Sequence, residues 1–354
     1  LTSYDNILKV LIVFGGSMSE IVIIEDNELE EFHNVICDMQ IIFNSIHAPE
    51  GTIDVTKFCE LSKNKKVFII VDNNLMKYII KIFQQDNRYD DYKQKVAIFM
   101  YWTKMMNIQV TCGFSLFEIG KDNADEYRNL FLQACDKVKP LEWRALAYGG
   151  LDKLITKEVP SILEDTWEYD YSKNEHFLMH YIEMVKLVQL IYDTKTTSFD
   201  KFKLFIKWYY KHLIICSSTV SYVAMCLTNN GVKPPKNINS PNIVKVLTGC
   251  RNQAWDLTFL SLYSTLLKED NIYFVATFDS DMKNIFINSN PPGEEINLIT
   301  TIFSTNKEIE ELKTTFKEAQ IGERKYKQLK TKEEKIEYLE KLLEKEIQIL
   351  ERMR

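Results

Sequence analysis

The sequence predicts an α/β fold with a central, mostly parallel sheet, a large helical insertion and a helical C-terminal extension. Three observations carry that expectation. Residues 66–72 (Lys-Val-Phe-Ile-Ile-Val-Asp) and 272–279 (Ile-Tyr-Phe-Val-Ala-Thr-Phe-Asp) are β-branched and aromatic runs of strand length that end on an acid. Continuous apolar runs of this kind are buried on both faces, as in parallel sheets. A helix-period segment at 75–83 follows the first run in the strand–helix order of a βαβ unit, and another at 257–266 precedes the second.

Residues 1–60 form an N-terminal α/β segment in this reading. The short apolar stretches 8–14 and 20–24 read as two strands, or a helix and a strand, with Gly15-Gly16 as a turn. No phosphate-loop spacing follows those glycines. Leu29, Phe32, Val35, Ile36, Met39, Ile42, Phe43 and Ile46 recur at helical period, so the spacing predicts a helix over 28–46.

Residues 61–124 hold the first half of the predicted core. The strand ends on Asp72, a helix follows over 75–83, and after the charged turn at 84–92 the segment 96–106 is of helical length. A further helical turn at 114–120 carries Glu118. A lone glutamate among apolar neighbours is most often a solvent-facing residue; its place in the order of acids is what singles it out.

Residues 125–245 read as a helical insertion, with wide apolar faces over 127–138, 142–154, 176–192 and 199–227. His176 and His180 share a helix face with Glu183, but without the H-E-x-x-H order they read as core or surface histidines. The aromatic group 208–212 likewise reads as core. Residues 231–241, with Pro234, Pro235 and Pro241, are the clearest loop. The second half of the core, 246–303, has Asp256 opening an amphipathic helix (Leu257, Leu260, Leu262, Leu266), the strand ending on Asp279 and Asp281, and a last strand expected over 296–303. Residues 304–354 form a charged helical extension broken near Gly322. Its stripe Ile336, Leu339, Leu343, Ile347, Leu350 and Met353 is suited to packing on its own body, a second copy or a protein partner.

Composition narrows the function. The 354-residue chain has a net charge of −6, so no global basic field drives nucleic-acid binding and any such contact must be a local patch. The most basic stretch, Arg324, Lys325, Lys327, Lys330 and Lys332, is the sequence candidate for phosphate contact. Seven cysteines without a C-x-x-C pair suggest free thiols in a reducing compartment. The run 7–14 is too short to span a bilayer, and 205–227 is interrupted by Lys207, Lys211 and His212. A soluble cytoplasmic protein with no membrane partner is expected.

Taken in order, the acid after the first strand (Asp72), the acid on a mid-chain helix (Glu118), the acid opening a later helix (Asp256) and the acids closing the next strand (Asp279, Asp281) resemble the PIN-like nuclease family. Val71-Asp72-x-Asn74 is similar to its first-strand signature, Ala254-Trp255-Asp256 to its helix-opening aspartate and Thr277-x-Asp279-x-Asp281 to its closing motif. The resemblance covers about half of the chain, because roughly 130 residues separate Glu118 from Asp256 and about 70 follow Asp281. It implies a Rossmann-like three-layer α/β/α sandwich and metal-dependent hydrolysis of phosphodiesters, with RNA the usual substrate.

The residue chemistry agrees. Clustered carboxylates repel and stay ionised together when a cation compensates them. Divalent ions held by carboxylates both activate water and neutralise the phosphoryl and leaving oxygens. Mg²⁺ suits an all-oxygen site, with Mn²⁺ a substitute. Asp72 and Asp279 are expected as direct ligands, Asp256 as ligand or water-positioning group, and Glu118 and Asp281 as direct or water-mediated supports. Asn74, Thr277 and Arg251 are candidates to orient the acids or the scissile phosphate. Two alternatives stand beside an endoribonuclease: an acid-cluster nuclease acting on DNA, and a non-catalytic interaction protein that retains the core as a scaffold. A toxin, an antiviral effector and an RNA-processing enzyme all accommodate the first reading.

Overall fold

The computed structural model describes residues 9–13, 20–24, 26–160, 170–266, 270–289, 302–303 and 305–354, with side chains from residue 28 onward other than that of Lys121. The chain is mixed α/β and mostly helical, with one four-stranded, mostly parallel sheet and helices around it. It divides into two compact units, one comprising 1–169 and 266–278, the other 170–265 and 279–354.

The first unit opens with an antiparallel hairpin, β1 (Lys9–Val13) and β2 (Glu20–Ile24), in which Lys9 is paired with Ile24. Gly15-Gly16 lies outside the described residues. Helix α1 (Asp26–Met39) is shorter than the 28–46 predicted. Gln40 takes a positive φ of 47°, which ends the helix, and the buried run Ile41-Ile42-Phe43 then enters strand β3 (Ile42–Phe43). Helix α2 (Val55–Asn64), not foreseen from the sequence, starts at Asp54, whose carboxylate accepts from the amides of Thr56 and Lys57.

The run ending on Asp72 forms β4 (Val67–Val71), followed by α3 (Asn73–Phe83), α4 (Asp90–Met105), β5 (Gln109–Thr111) and α5 (Gly113–Ile119). Then come α6 (Lys121–Asp136) and α7 (Pro140–Ala147). The helix predicted to reach 154 stops at Ala147, because the chain turns back through Gly149 at φ 74° and the Gly150 amide donates to the Ala145 carbonyl. The last strand, β6 (Ile272–Ala276), completes the order β3-β6-β4-β5. β6 and β5 both run parallel to β4, and β3 pairs antiparallel to β6 at the edge. Val67, Ile69, Val71, Ile272, Phe274 and Ala276 enter one core with Phe58 and with Phe99, Tyr101 and Trp102 of α4.

The second unit is helical: α8 (Glu175–Tyr192), α9 (Ser198–His212), α10 (Ser217–Leu227), α11 (Ile243–Leu266), α12 (Ser280–Asn288), α13 (Asn306–Ile321), α14 (Lys325–Gln328) and α15 (Lys332–Arg352). The predicted break near Gly322 is present. Helix α15 lies along α8, and its buried positions are Leu339, Leu342, Glu346 and Leu350. Glu346 is held by Gln189 Nε2 at 2.9 Å, Trp208 Nε1 at 3.2 Å and Lys186 Nζ at 3.5 Å. The extension is therefore docked on its own body through a polar residue that hydrophobic patterning passes over. His180 is buried with Glu183 at 2.7 Å, and Tyr209 and Tyr210 are core, as read from the sequence. The strand expected over 296–303 falls outside the described residues, apart from Ile302 and Phe303. All seven cysteines are free. Among the described residues no helix is long and apolar enough to cross a membrane.

Candidate functional site

In the first unit the site begins with strand register. Val71 is paired with Ala276, so the two runs that end on acids are adjacent and parallel, and Asp72 comes level with Thr277. The Asp72 amide donates to the Ala276 carbonyl at 3.0 Å. Its carboxylate, only 2 % exposed, accepts from the Leu75 amide at 2.7 Å and from the Thr277 hydroxyl at 2.6 Å. Asp72 is thus both the N-cap of α3 and the partner of the residue that ends β6.

Glu118 is brought in by α5. The Ser115 hydroxyl donates to the Val71 carbonyl at 2.7 Å, which ties the helix to the end of β4. One turn later Glu118 is hydrogen-bonded to Asn73, with Lys77 nearby; burial raises its proton affinity, and Lys77 and Asn73 offset part of that rise. Asn74 is exposed, so its neighbour Asn73, with a buried Oδ1, is the asparagine of this site.

An aromatic group completes this edge. The Tyr78 and Tyr92 rings stack at 4.0 Å, and Phe278 stands 6.1 Å from each. All three are half-buried. The Tyr78 phenol is pushed up by burial, then by Tyr92 and the charge of Asp72. Sequence reading missed this group, since its members come from α3, α4 and the turn after β6 and share no spacing.

In the second unit Asp279 caps α12, its Oδ1 accepting from the amides of Asp281 at 2.8 Å and Met282 at 2.9 Å. Asp281 occupies the first turn, where a helix favours negative charge. Its pKa is nonetheless raised, by burial and by repulsion from Asp279, against the opposing pull of Lys233, Lys236 and the Lys233 amide. The loop carrying those lysines is held on three sides. Tyr222 donates to the Lys233 carbonyl at 2.8 Å, and Asn284 to the Gly231 carbonyl at 2.6 Å. Gly249 of α11 lies so close that an added Cβ would fall 1.8 Å from the Lys236 carbonyl oxygen.

Asp256 requires a correction. It does not open a helix: α11 starts at Ile243, so Asp256 lies in its second half. The amphipathic pattern after Asp256 masked a helix that had already run for several turns, because Val246, Gly249 and Cys250 bury an earlier stretch. Asp256 is half-buried and accepts from Gln253 Nε2 at 3.3 Å. With Asp281 it bears on buried Tyr222, whose phenol is raised well above its ordinary value by burial first and by these charges among others.

The remaining candidates lie elsewhere. Arg251 is five residues from Asp256, about 140° around a helix of 3.6 residues per turn. Its guanidinium sits 5.5 Å over the Phe177 ring. Arg324 stands 5.1 Å over Tyr210. Lys325 and Lys327 belong to short α14, beside α9. Among the described residues no group of three or more His, Cys, Asp or Glu side chains is arranged to hold a metal ion. What each unit offers is smaller: Asp72 with Thr277 and Glu118 with Asn73 in the first, Asp279 with Asp281 in the second, where Asp256 and Asp281 each bear on Tyr222. No family model matches this chain, and neither does any curated protein or solved structure.

Proposed function

We propose that this protein is a Mg²⁺- or Mn²⁺-dependent phosphodiester hydrolase acting on RNA, built on a Rossmann-like α/β/α core of the PIN-like kind. The observation that carries the reading is the pairing of β4 with β6. Two neighbouring parallel strands bring Asp72 and Thr277 together at their carboxyl ends, where open α/β sheets bind ligands. Thr277 fixes the Asp72 carboxylate.

The donor set fits a hard cation, since Mg²⁺ is commonly held by one or two carboxylates together with waters and substrate phosphate. Asp279 and Asp281 are the residues that would hold it, and Asp256, which bears with Asp281 on Tyr222, is the candidate to position a water. The mutual repulsion of Asp279 and Asp281 is what such a charge relieves. An ion bound there would supply an activated water and neutralise charge on the phosphate. Glu118, whose proton affinity is raised by burial, stands hydrogen-bonded to Asn73 as the candidate proton-exchanging group. The half-exposed Tyr78, Tyr92 and Phe278 rings offer faces on which unpaired bases stack, which favours a single-stranded substrate.

Labelled RNA, single-stranded DNA and flap DNA, incubated with and without EDTA, test the reading. EDTA-sensitive RNA cleavage that disappears in Asp279→Asn and Asp256→Asn is the expected result. A second reading has its own observation: Asp72 and Asp279 cap α3 and α12, a role that suffices in a non-catalytic scaffold. It predicts no turnover of any of the three substrates.

A further inference from the structure

At the amino end of the sheet in the first unit, remote in register from Asp72, lies a groove of about 670 Å³. Helix α2 ends at Asn64, and Lys65 turns extended (φ −141°, ψ 153°) to lead into β4. Lys63, Lys65 and Lys66 are therefore displayed together along the groove, all exposed. Among the described residues none of them is ion-paired. Lys63 complements the negative end of α2; Lys65 and Lys66 lie past the helix. The positive field reaches His47, whose proton affinity is lowered by burial first and then by Lys57 and Lys65. Such a patch runs against the net charge of −6.

The wall of the groove adds an aromatic face. Phe68 of β4 is level with Gln109 of β5 on one side and Tyr273 of β6 on the other. Its ring is half-buried and stacks on Tyr273 at 5.1 Å and 18°. Asn107 and Gln109, both exposed, line the same groove and carry amide donors and acceptors. Cations for phosphates, a ring braced from behind and amides at one edge together match one polymer better than others.

We propose that this groove binds single-stranded nucleic acid, RNA foremost. Lys63, Lys65 and Lys66 contact backbone phosphates, Phe68 stacks a base, and Asn107 and Gln109 reach base edges or sugar hydroxyls. Binding here requires neither the acids nor a cation, so it stands apart from the hydrolytic reading. An acidic polypeptide would use the lysines but leave Phe68 idle.

The test is fluorescence anisotropy of a labelled oligouridylate with the full chain in EDTA, where hydrolysis by a metal site is silent. The triple variant Lys63→Ala/Lys65→Ala/Lys66→Ala should bind at least tenfold more weakly and lower the slope of log K against log salt by about 2, at roughly 0.7 for each phosphate no longer neutralised. Phe68→Leu should weaken binding several-fold and leave the slope unchanged, which a merely unfolded variant would not do. Unchanged affinity and slope in the triple variant would overturn the proposal. So would loss of binding in Arg324→Ala/Lys325→Ala/Lys327→Ala alone, or displacement of the RNA by polyglutamate at equal concentration.

Discussion

The Thr277 hydroxyl donates to the Asp72 carboxylate at 2.6 Å, joining residues 205 positions apart across the parallel pair β4–β6. A charged hydrogen bond in a buried place contributes about 2 kcal/mol. Thr277→Val should lower the urea unfolding free energy by about that amount, and Thr277→Ser should restore most of it. In the hydrolase reading Thr277→Val also slows cleavage tenfold or more, with Thr277→Ser again recovering. Full activity in Thr277→Val would remove Thr277 from the site.

Capping and catalysis separate at Asp279. Serine caps a helix about as well as aspartate, so Asp279→Ser should change stability by less than about 1 kcal/mol. The carboxylate is gone nonetheless. Cleavage and Mn²⁺ binding, followed by activity assay and titration calorimetry, should fall together; a variant that still cuts would leave Asp279 as a cap only.

Glu118 and Asp281 are acids with raised folded-state pKa values. Folding therefore takes up protons at these positions, and their ionised forms weaken the fold. The penalty is complete above the folded pKa and disappears as pH falls through it toward the unfolded value of about 4. Glu118→Gln and Asp281→Asn should each raise the melting temperature at pH 7, with the gain shrinking as acid is added. A melting temperature at or below wild type at pH 7 would contradict this role for both residues.

Gly249→Ala probes the lysine loop. A Cβ 1.8 Å from the Lys236 carbonyl oxygen cannot be accommodated without moving backbone. Overpacking of this kind costs about 3 kcal/mol. Chemical denaturation should show the loss, and a cost within experimental error would mean that the loop moves freely away from α11.

Removing Glu346 should detach the C-terminal helix. Glu346→Ala leaves Gln189, Trp208 Nε1 and Lys186 without their shared acceptor, at about 3 kcal/mol for a broken buried charge cluster. Limited proteolysis should then cut within 325–354 earlier than in wild type. Equal protection of that segment would show that the apolar contacts of Leu339, Leu342 and Leu350 hold it alone.

The strands at 67–71 and 272–276 were legible because each is a continuous β-branched run bounded by charge, and their terminal acids were legible with them. Helix α2 and strand β5 were not, since the first is mostly polar and the second only three residues long. Asp256 was misplaced within α11 because an amphipathic run shows where a helix is exposed on one side, and the preceding turns are buried differently. Tyr78, Tyr92 and Phe278 had no common spacing to detect.

The sequence by itself determined the two acid-tipped strands, the dominance of helix and the break near Gly322, all consequences of local periodicity and of short-range backbone preference. Only the tertiary structure decided that β4 and β6 are parallel neighbours, that Thr277 serves Asp72, that Asn73 stands where Asn74 was expected, and that Glu346 anchors the last helix. These depend on register and on which buried polar groups meet across long separations. A one-residue shift in β4 against β6 preserves every local pattern in the chain and breaks the Thr277–Asp72 bond.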